Sequence, residues 1–349
     1  MYHLQNIQNL QNIQNHSPLA ISAAFGGYNN MNVYFFEAFE EERAALVKYG
    51  AESLDAGFTW KTIQEAGMTE PPAPIISVRT QSAIPVEWAP KLKGILTRST
   101  GYDHLSRYRL ASGHAELPCG YLPLYCNRTV AEQALLLWMA LARKLPVQTR
   151  QFKAFNRDGL TGREILGKNL LVIGVGKIGT EIVSIGRGLG MNVKGVDPVH
   201  RLADLEYVSY EDGAPWADIV AVAMKLTPEN TGYFTTERLN CLKQGALLVN
   251  VARGEFTPLA AIAEAVKSGR LGGVGLDVYE TETKLGPQLR EHPENWEGTP
   301  LQYLMDADNV ILTPHNAFNT KEAVERKSEQ SVRQVTEFLK SGKFIWPIE

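Results

Sequence analysis

The chain has few cysteines, no strong excess of charge of either sign and no apolar run long enough to cross a membrane. Its 349 residues contain three cysteines, Cys119, Cys126 and Cys241, which are too few for a disulfide framework and lack the spacing of metal ligands. A net charge of −3 gives no electrostatic signal for nucleic acid or an anionic membrane. The longest apolar run, residues 134–142, is far shorter than the ~20 residues that span a bilayer. We therefore expect a cytoplasmic protein with reduced thiols, no metal site and neither nucleic-acid nor membrane partners.

The first thirty residues differ in composition from the rest. Residues 4–15 repeat a Leu/Ile-Gln-Asn triplet and carry none of the features of a secretory signal. Sequence rich in Gln and Asn is typically disordered. A strand-then-helix pattern, typical of a domain start, opens at Met31. We expect residues 1–30 to be a disordered leader or an upstream start, and the fold to begin near Met31.

From residue 32 onward, short apolar runs alternate with helical patterns. The hydrophobic content of 44% and the charged content of 21% are those of a globular protein, and the length allows two domains. Strands that alternate with helices predict right-handed β-α-β units and parallel sheets. The candidate strands are residues 33–36, 75–78, 94–97, 170–173, 219–223, 246–251, 273–277 and 309–313. The candidate helices are residues 40–49, 104–111, 129–145, 236–242, 258–268, 300–305 and 321–340.

The most informative pattern lies in residues 169–198. An apolar run is followed by Gly174-Val175-Gly176-Lys177-Ile178-Gly179, a helical pattern to about residue 189 and a second apolar run that ends at Asp197. In a dinucleotide-binding unit the first glycine makes the turn, the second lets the backbone approach the pyrophosphate and the third lets helix and strand pack closely. The helix N-terminus binds phosphate, and the acidic residue accepts the adenosine ribose hydroxyls. The carboxylate would repel a 2′-phosphate, so NAD is favoured over NADP, although His200 and Arg201 leave NADP open.

The glycine pattern lies in the middle of the chain, so a cofactor domain there is expected to be inserted into another domain. The C-terminal helix would then return to the first part of the chain. We predict an α/β fold of two parallel-sheet domains, Rossmann-like or flavodoxin-like, around a cleft. The expected NAD-binding domain covers residues 129–315, and a discontinuous substrate domain covers residues 31–128 plus 316–349.

Three polar residues follow apolar runs of the expected cofactor domain. Arg253 follows residues 247–252, Glu282 comes shortly after residues 275–279, and His315 follows residues 311–314. Alone, each has an ordinary interpretation, as a surface arginine, a solvated glutamate or a structural histidine. Three such residues at the carboxyl ends of successive strands face the crevice where ligands bind in sheets of this kind. We therefore expect them to act together on a substrate.

Several motifs resemble those of the D-2-hydroxyacid dehydrogenase family, namely GVGKIG…VDP, NVARGE, GLDVYETE and NVILTPH. Others are most similar to its D-lactate dehydrogenase branch: TRSTGYDHL, LPLYCNRTVAEQA, LTPEN, PHNAFNT and the insert that contains ENWEG. The resemblance covers nearly all of the chain from residue 31. It implies an NAD-dependent oxidoreductase that transfers hydride reversibly between NADH and a small 2-oxo acid such as pyruvate, and it implies a homodimer.

The resemblance also implies roles for individual residues. Arg253 would bind the substrate carboxylate and polarise its carbonyl. His315 would be the general acid/base, and Glu282 would orient it and stabilise its charged form. Cofactor contacts are implied for Gly174, Gly176, Lys177, Ile178, Gly179, Asp197, Met224, Lys225, Asn230, Val251, Ala252 and Asp277, and substrate contacts for Ser99, Thr100, Gly101, Tyr125 and Arg253.

Four positions have alternative interpretations. Asp277 is expected to accept a hydrogen bond from the nicotinamide carboxamide, and Tyr125 is either a substrate-pocket residue or a core tyrosine. Lys225 ends an Ala-Met-Lys sequence where the family usually has His-x-Pro, and it adds positive charge to the cleft. Arg79 is expected at the surface, with recognition of a second acidic group on the substrate as the alternative.

Two other functions remain open. A hydroxypyruvate/glyoxylate-type or phosphoglycerate-type dehydrogenase shares the catalytic pattern, but such relatives tend to have glycines where this chain has AFNT after His315. A non-catalytic, NAD-sensing corepressor shares the fold and the three residues, but the chain has no basic cluster that would indicate such a role. The physiological acid, the reaction direction and the strictness for NAD are not set by the sequence.

Overall fold

The computed structural model describes residues 31–280, 282, 285, 288, 289, 296 and 298–349, so the expected disordered leader lies outside the described residues. The first part of the chain forms a five-stranded parallel sheet. Its strands are β1 (Val33–Phe35), β2 (Ala56–Phe58), β3 (Ile75–Val78), β4 (Gly94–Thr97) and β5 (Cys119–Gly120). The order β2-β1-β3-β4-β5 is that of a flavodoxin-like domain.

The middle of the chain forms a seven-stranded parallel sheet. Its strands are β6 (Asn169–Ile173), β7 (Asn192–Val196), β8 (Glu206–Tyr207), β9 (Ile219–Val222), β10 (Ala246–Asn250), β11 (Leu271–Leu276) and β12 (Val310–Leu312). The order β12-β11-β10-β9-β6-β7-β8 is the doubly wound, Rossmann-like one. Strand order reverses between β6 and β9, and ligands bind at the carboxyl ends of strands beside such a point.

Helices cover both sheets. They are α1 (Glu40–Lys48), α2 (Ile63–Ala66), α3 (Asp103–Ser112), α4 (Asn127–Ala142), α5 (Leu145–Gln151), α6 (Lys177–Gly188), α7 (Tyr210–Gly213), α8 (Thr236–Cys241), α9 (Leu259–Lys267), α10 (Pro300–Asp306) and α11 (Lys321–Ser341). Every helix expected from the apolar pattern is present. Across the described ranges, no helix is both long enough and apolar enough to cross a membrane.

The helix expected over residues 129–145 begins two residues earlier and ends three residues sooner, at Ala142. Pro146 has no amide hydrogen with which to continue the helical ladder back to the carbonyl of Ala142. That carbonyl accepts a hydrogen bond from the Arg163 amide instead, at 2.8 Å. Lys144 takes a left-handed conformation with φ of 53°, and α5 starts immediately after it.

The C-terminal segment returns to the first sheet, as expected. Helix α11 packs on α1 and β4. Beyond it, Pro347 forms an antiparallel bridge with Gly120, and the Ile348 amide donates to the Cys119 carbonyl at 2.8 Å. The fold is therefore the predicted one, in which a Rossmann-like sheet is inserted between the two parts of a flavodoxin-like unit.

Three short strands were not expected from the sequence: β2, β5 and β8. Each lies at the edge of its sheet and has two or three residues. Edge strands of this length need no continuous apolar run, because solvent or a loop covers one side. Residues of β2 and β8 are accordingly half-buried or exposed, and they leave little hydrophobic signal.

A buried cluster of charged residues joins the N-terminal and C-terminal parts of the first unit. Glu42 on α1 forms two ion pairs. One is with Arg98, just after β4, at 2.7 Å, and the other is with Lys327 on α11, at 2.8 Å. All three side chains are almost completely buried. Burial alone would raise the pKa of Glu42, but the positive charges of Arg98, Lys327 and Arg79 lower it to about 2. The carboxylate is therefore ionised. It joins α1 to Arg98 and to α11, although α11 lies far from α1 in the sequence.

Removing this carboxylate should destabilise the fold strongly. Glu42→Gln keeps the shape of the side chain but leaves two buried cations without a counter-charge, which costs about 3–5 kcal/mol. Urea unfolding followed by circular dichroism measures the loss. Glu41→Gln, on the exposed face of the same helix, is the matched control and should change the stability by less than about 0.5 kcal/mol. Equal stability of the two variants would contradict a structural role for the cluster.

Candidate active site

The glycine loop after β6 has the geometry that its sequence predicts. Gly174 has φ of +89°, a left-handed conformation that favours glycine, and a Cβ there would collide with the backbone of Met224. A Cβ on Gly179 would overlap the carbonyl oxygen of Gly174, so this glycine lets α6 pack against the loop. Gly176 precedes α6, and a Cβ there would meet nothing within 4 Å. Its open side faces the cleft.

Asp197 lies directly after β7 and is tied to the glycine loop. One carboxylate oxygen accepts the Val175 amide at 2.7 Å, and the other accepts the Val199 amide at 2.8 Å. Each oxygen keeps a lone pair for a further donor, such as a ribose hydroxyl. Arg201 approaches the carboxylate at 3.7 Å, whereas the His200 ring stacks on Tyr207 at 4.1 Å. The negative charge at the rim of the cleft is thus held in place by backbone amides.

A cleft of about 980 Å³ lies between the two sheets, at the carboxyl ends of β6, β7, β9 and β10. Ten of the twelve residues expected to contact a cofactor line it, and the other two, Gly179 and Asp277, lie outside it. The lining residues are Gly174, Gly176, Lys177, Ile178, Asp197, Met224, Lys225, Asn230, Val251 and Ala252. Its size suits a dinucleotide, because such sites typically have about 300–1,000 Å³. The open glycine loop, the free amides of the α6 N-terminus and the Asp197 carboxylate fit NAD.

Arg253, Glu282 and His315 come together because β10, β11 and β12 are neighbours in the sheet. His315 Nδ1 lies 2.6 Å from Glu282 Oε1. Burial alone would raise the pKa of Glu282, but its hydrogen bond and charge interaction with His315, with a smaller effect of Arg253, hold the pKa below its usual value. The ionised carboxylate accepts a hydrogen bond from the Nδ1–H group of His315. Nε2 is then the ring atom that exchanges a proton with a bound molecule.

Arg253 reaches across the cleft to the first unit. Its Nε donates to Asp103 Oδ1 at 3.0 Å, and its Nη1 donates to the Ala252 carbonyl at 2.8 Å. Its Nη2 lies so close to Gly101 that a Cβ on that glycine would overlap it. Burial alone would raise the pKa of Asp103, but Arg253 lowers it. The guanidinium is therefore held by a carboxylate and lies against the expected substrate loop, residues 99–101.

Asp277 lies beneath the turn that carries His315, and not in the cleft. Its carboxylate is fully buried and accepts a hydrogen bond from the Thr313 hydroxyl. It also accepts the amide of Asn316 at 2.9 Å and the amide of Ala317 at 2.8 Å. Burial raises its pKa. His315 itself has φ of +51°, a left-handed conformation that is uncommon for histidine. These hydrogen bonds shape the turn, and the expected contact with a nicotinamide carboxamide stays a prediction.

The residues of the expected substrate loop differ in exposure. Thr100 and Gly101 line the cleft, whereas the Ser99 hydroxyl is turned inward and donates to the Gly101 carbonyl at 2.7 Å. Thr100 donates its hydroxyl to the Leu122 carbonyl at 3.1 Å. Tyr125 is 3% exposed. The following residue, the buried Cys126, places its thiol 3.5 Å from the Thr100 hydroxyl. The structure therefore places Tyr125 behind the substrate loop, in the core.

The expectation that Arg79 lies at the surface is wrong. The side chain is 8% exposed, and its guanidinium carbon lies 3.9 Å from the centre of the Phe318 ring. The residue follows β3, in a segment whose Gln81 side chain lies 3.5 Å from Glu282 Oε1. Nothing in the local sequence distinguishes this arginine from a surface one, since its burial results from Phe318, 239 residues further along the chain.

Three residues at the site were not identified from the sequence. Asp103 pairs with Arg253, Gln81 Nε2 lies 3.5 Å from Glu282 Oε1, and the Tyr102 hydroxyl lies 3.1 Å from Lys225 Nζ. Tyr102 and Asp103 belong to the TRSTGYDHL motif, which indicated that this segment matters but not which residues Tyr102 and Asp103 contact. The contacts join residues 123 to 201 positions apart, and no local pattern reports such a pairing.

The open side of Gly176 allows a test of the cofactor cleft. Gly176→Ala puts a methyl group where a pyrophosphate must meet the backbone, so the Kd for NADH should rise by about tenfold or more. Fluorescence titration with NADH measures it. The matched control is Gly188→Ala in the same helix, which also meets nothing within 4 Å and should leave the Kd unchanged. An unaltered Kd for Gly176→Ala would rule out the glycine loop as the pyrophosphate site.

Comparison with known proteins agrees with this geometry. Residues 135–317 match the family model of the D-isomer specific 2-hydroxyacid dehydrogenase, NAD binding domain. The D-lactate dehydrogenase of Streptococcus agalactiae serotype V (strain ATCC BAA-611 / 2603 V/R) is 32% identical over 263 residues, which cover 72% of this chain and 77% of that protein. The D-lactate dehydrogenase of Escherichia coli (strain K12) is 30% identical over 298 residues, 83% of this chain and 89% of that protein.

Solved structures give the same result. The D-lactate dehydrogenase from Aquifex aeolicus, complexed with NAD and lactic acid, superposes with a TM-score of 0.77 at 28% identity and covers 90% of this chain and 99% of that chain. The D-2-hydroxyisocaproate dehydrogenase structure, at 23% identity and a TM-score of 0.77, shares the fold. This chain belongs to the D-isomer specific 2-hydroxyacid dehydrogenase family, in its D-lactate dehydrogenase branch, and is an NAD-binding oxidoreductase that acts on CH–OH groups.

Proposed function

We propose that the chain transfers hydride reversibly between NADH and a small 2-oxo acid such as pyruvate, and forms the D-2-hydroxy acid. Arg253 binds and polarises the substrate, His315 is the general acid/base, and Glu282 orients His315. The observation that carries this proposal is the 2.6 Å contact between His315 and Glu282, which follow β12 and β11, the two strands next in order to the strand β10 that precedes Arg253. The structure of the related D-lactate dehydrogenase from Aquifex aeolicus is a complex with NAD and lactic acid.

Arg253 has donors to spare for a carboxylate. A guanidinium carries five N–H groups, and Asp103 and the Ala252 carbonyl use two of them. The remaining donors include those of Nη2, which faces Gly101. Within the part of the chain that the structure describes, the amides of Thr100 and Gly101 donate to no protein acceptor. Together these groups can bind a carboxylate, while Asp103 fixes the direction of the arginine.

His315 supplies and removes the proton. When bound, NADH would supply a hydride to the carbonyl carbon of the substrate, and negative charge would develop on the carbonyl oxygen. Because Glu282 accepts a hydrogen bond from the Nδ1–H group, His315 is held in the orientation that presents Nε2 to that oxygen. In the reverse direction the neutral imidazole accepts the hydroxyl proton. The negative charge of Glu282 stabilises the imidazolium that each cycle needs.

We further propose that residues 31–128 with 316–349 form the substrate domain and residues 129–315 the NAD-binding domain. The two sheets and the return of α11 to the first sheet support this division. A cytoplasmic location is consistent with Cys119, Cys126 and Cys241, all of which are free thiols.

We also propose a homodimer. Large apolar side chains are exposed on one continuous stretch of chain, at Leu136, Leu145, Phe152, Phe155 and Leu166, and the exposed fractions of the two phenylalanines are 74% and 76%. Such a concentration of exposed apolar residues marks an interaction surface. It lies on and beside α4 and α5, next to the cofactor sheet.

Substitution of the expected catalytic residues should abolish turnover without loss of cofactor binding. His315→Gln should lower kcat for pyruvate by roughly 10²–10⁴-fold, because no other group replaces the acid/base, and Arg253→Ala should lower kcat/KM to a similar extent. NADH oxidation at 340 nm gives the rates. His114→Gln, just after α3, and Arg333→Ala, on the exposed face of α11, are controls that should retain full activity. Wild-type rates in both site variants would overturn the catalytic assignment.

The proposed dimer has its own test. Phe152→Asp combined with Phe155→Asp places two charges on the exposed apolar surface, so the protein should become a monomer by light scattering after size exclusion. Leu110→Asp, at an apolar residue that is 85% exposed on α3, should leave the mass unchanged. A wild-type monomer, or a dimer that survives the double substitution, would contradict the proposed surface.

A further inference from the structure

Arg79 is a buried cation that forms no direct ion pair with the described residues, although its charge acts on Glu42 from a distance. Its guanidinium carbon lies 3.9 Å from the centre of the Phe318 ring and 5.2 Å from that of Phe39. Among the described residues, no carboxylate lies within 4 Å of the guanidinium. Burial of an unpaired charge is costly, and buried charges are normally paired. A partner from outside the chain would remove that cost.

The residues behind Arg79 cannot provide the missing negative charge. Arg98 and Lys327 already share the single carboxylate of Glu42. Burial, together with the positive charges of Arg79 and Arg98, lowers the pKa of Lys327 to about 7 against the opposing effect of Glu42. The other buried carboxylate of this region, Glu37, accepts the backbone amides of Arg79 and Gln81. Of the three basic residues Arg79 is the most exposed, so it is the one that a further anion can reach.

The backbone at Arg79 is fixed by Glu37. This buried carboxylate accepts the amide of Arg79 at 2.8 Å and the amide of Gln81 at 3.2 Å. The Gln81 side chain lies 3.5 Å from Glu282 Oε1. The segment that carries Arg79 thus contacts the partner of His315, which places Arg79 near the proposed acid/base pair.

The distance from Arg79 to His315 is limited by Phe318. The guanidinium carbon lies 3.9 Å from the Phe318 ring centre, which lies 6.2 Å from the His315 ring centre. Together these two distances keep the guanidinium within about 10 Å of the imidazole. Hydrogen bonds of about 3 Å at each end leave at most roughly 4 Å between the substrate carbonyl and a distal group. A spacer of no more than two or three C–C bonds of about 1.5 Å fits within that limit.

We propose that Arg79 binds a carboxylate at the far end of the substrate, so that the enzyme prefers a four- or five-carbon 2-oxo diacid over pyruvate. This rests on the proposed function, because it uses Arg253 for the first carboxylate and His315 for the carbonyl. A carboxylate satisfies the guanidinium bidentately. A monoacid of the same length places a methyl group next to Arg79 and leaves the charge of the guanidinium unpaired. Sites that bind a polar group of the substrate discriminate against analogues that lack that group.

The test compares 2-oxoglutarate with 2-oxopentanoate, which has the same chain with a methyl group in place of the distal carboxylate. Wild-type kcat/KM should be at least about tenfold higher for 2-oxoglutarate, the discrimination expected of one charged hydrogen-bonded pair. Arg79→Met should lower kcat/KM for 2-oxoglutarate by roughly 10- to 100-fold and leave that for 2-oxopentanoate nearly unchanged. Arg79→Lys should give an intermediate ratio. Arg43→Met, which removes another arginine that packs on a phenylalanine ring of the same unit, should leave the ratio as in the wild type.

Each outcome has a definite consequence. A wild-type preference for 2-oxopentanoate or pyruvate over 2-oxoglutarate would overturn the proposal, and this measurement needs no variant to fold. Equal losses for both substrates in Arg79→Met would assign the residue a structural role only. Failure of the proposed function differs from both results, since NADH would then be oxidised with none of the 2-oxo acids, or Arg253→Ala would retain full activity.

Discussion

The buried carboxylate of Asp277 determines where His315 lies. It follows β11 and accepts the Thr313 hydroxyl and two consecutive amides, so the chain that leaves β12 turns around it. His315, in the centre of this turn, has φ of +51°, and such a conformation costs about 1–3 kcal/mol for a residue other than glycine. The hydrogen bonds to Asp277 offset that cost. In this conformation Nδ1 meets Glu282, so the pair depends on a residue that does not line the cleft.

The parallel sheet provides the other constraint. Because β10, β11 and β12 are neighbours and run in the same direction, residues that follow them reach the same edge of the sheet. Arg253 then extends to the first unit, where Asp103 holds it against Gly101. The site is complete only when both units contribute. Contacts that join them, including the one between Lys225 and Tyr102, therefore serve the geometry of the site as well as the stability of the fold.

Most of the fold could be predicted from the sequence, because central strands and long helices have strong apolar periodicity. The elements β3 and β4 have the expected bounds. The edge strands β2, β5 and β8 were missed, since strands of two or three residues need few apolar side chains. The early end of α4 depends on Pro146, whose effect on a helix is known, and on the Arg163 amide, whose position only the tertiary structure provides.

The site was predictable to the extent that its residues follow strands. That Arg253, Glu282 and His315 reach one edge of the sheet could be predicted in this way, and the shape of the glycine loop from its spacing, whereas their catalytic roles stay a prediction. Asp277 has the same sequence signal, a carboxylate at a strand end, but its direction into the turn depends on residues 316 and 317. The burial of Arg79 depends on Phe318, which contacts it only in the folded chain. Partners distant in sequence therefore determine the environments of Asp277 and Arg79.

The central claim is that this cleft transfers a hydride to one face of a 2-oxo acid. It is tested most directly with NADH that carries deuterium at both C4 positions, with pyruvate and with 2-oxoglutarate as acceptors, and with chiral chromatography and mass spectrometry of the products. We expect hydroxy acids of D configuration only, with one deuterium at C2. An L or racemic product, or a product without deuterium at C2, would contradict the account.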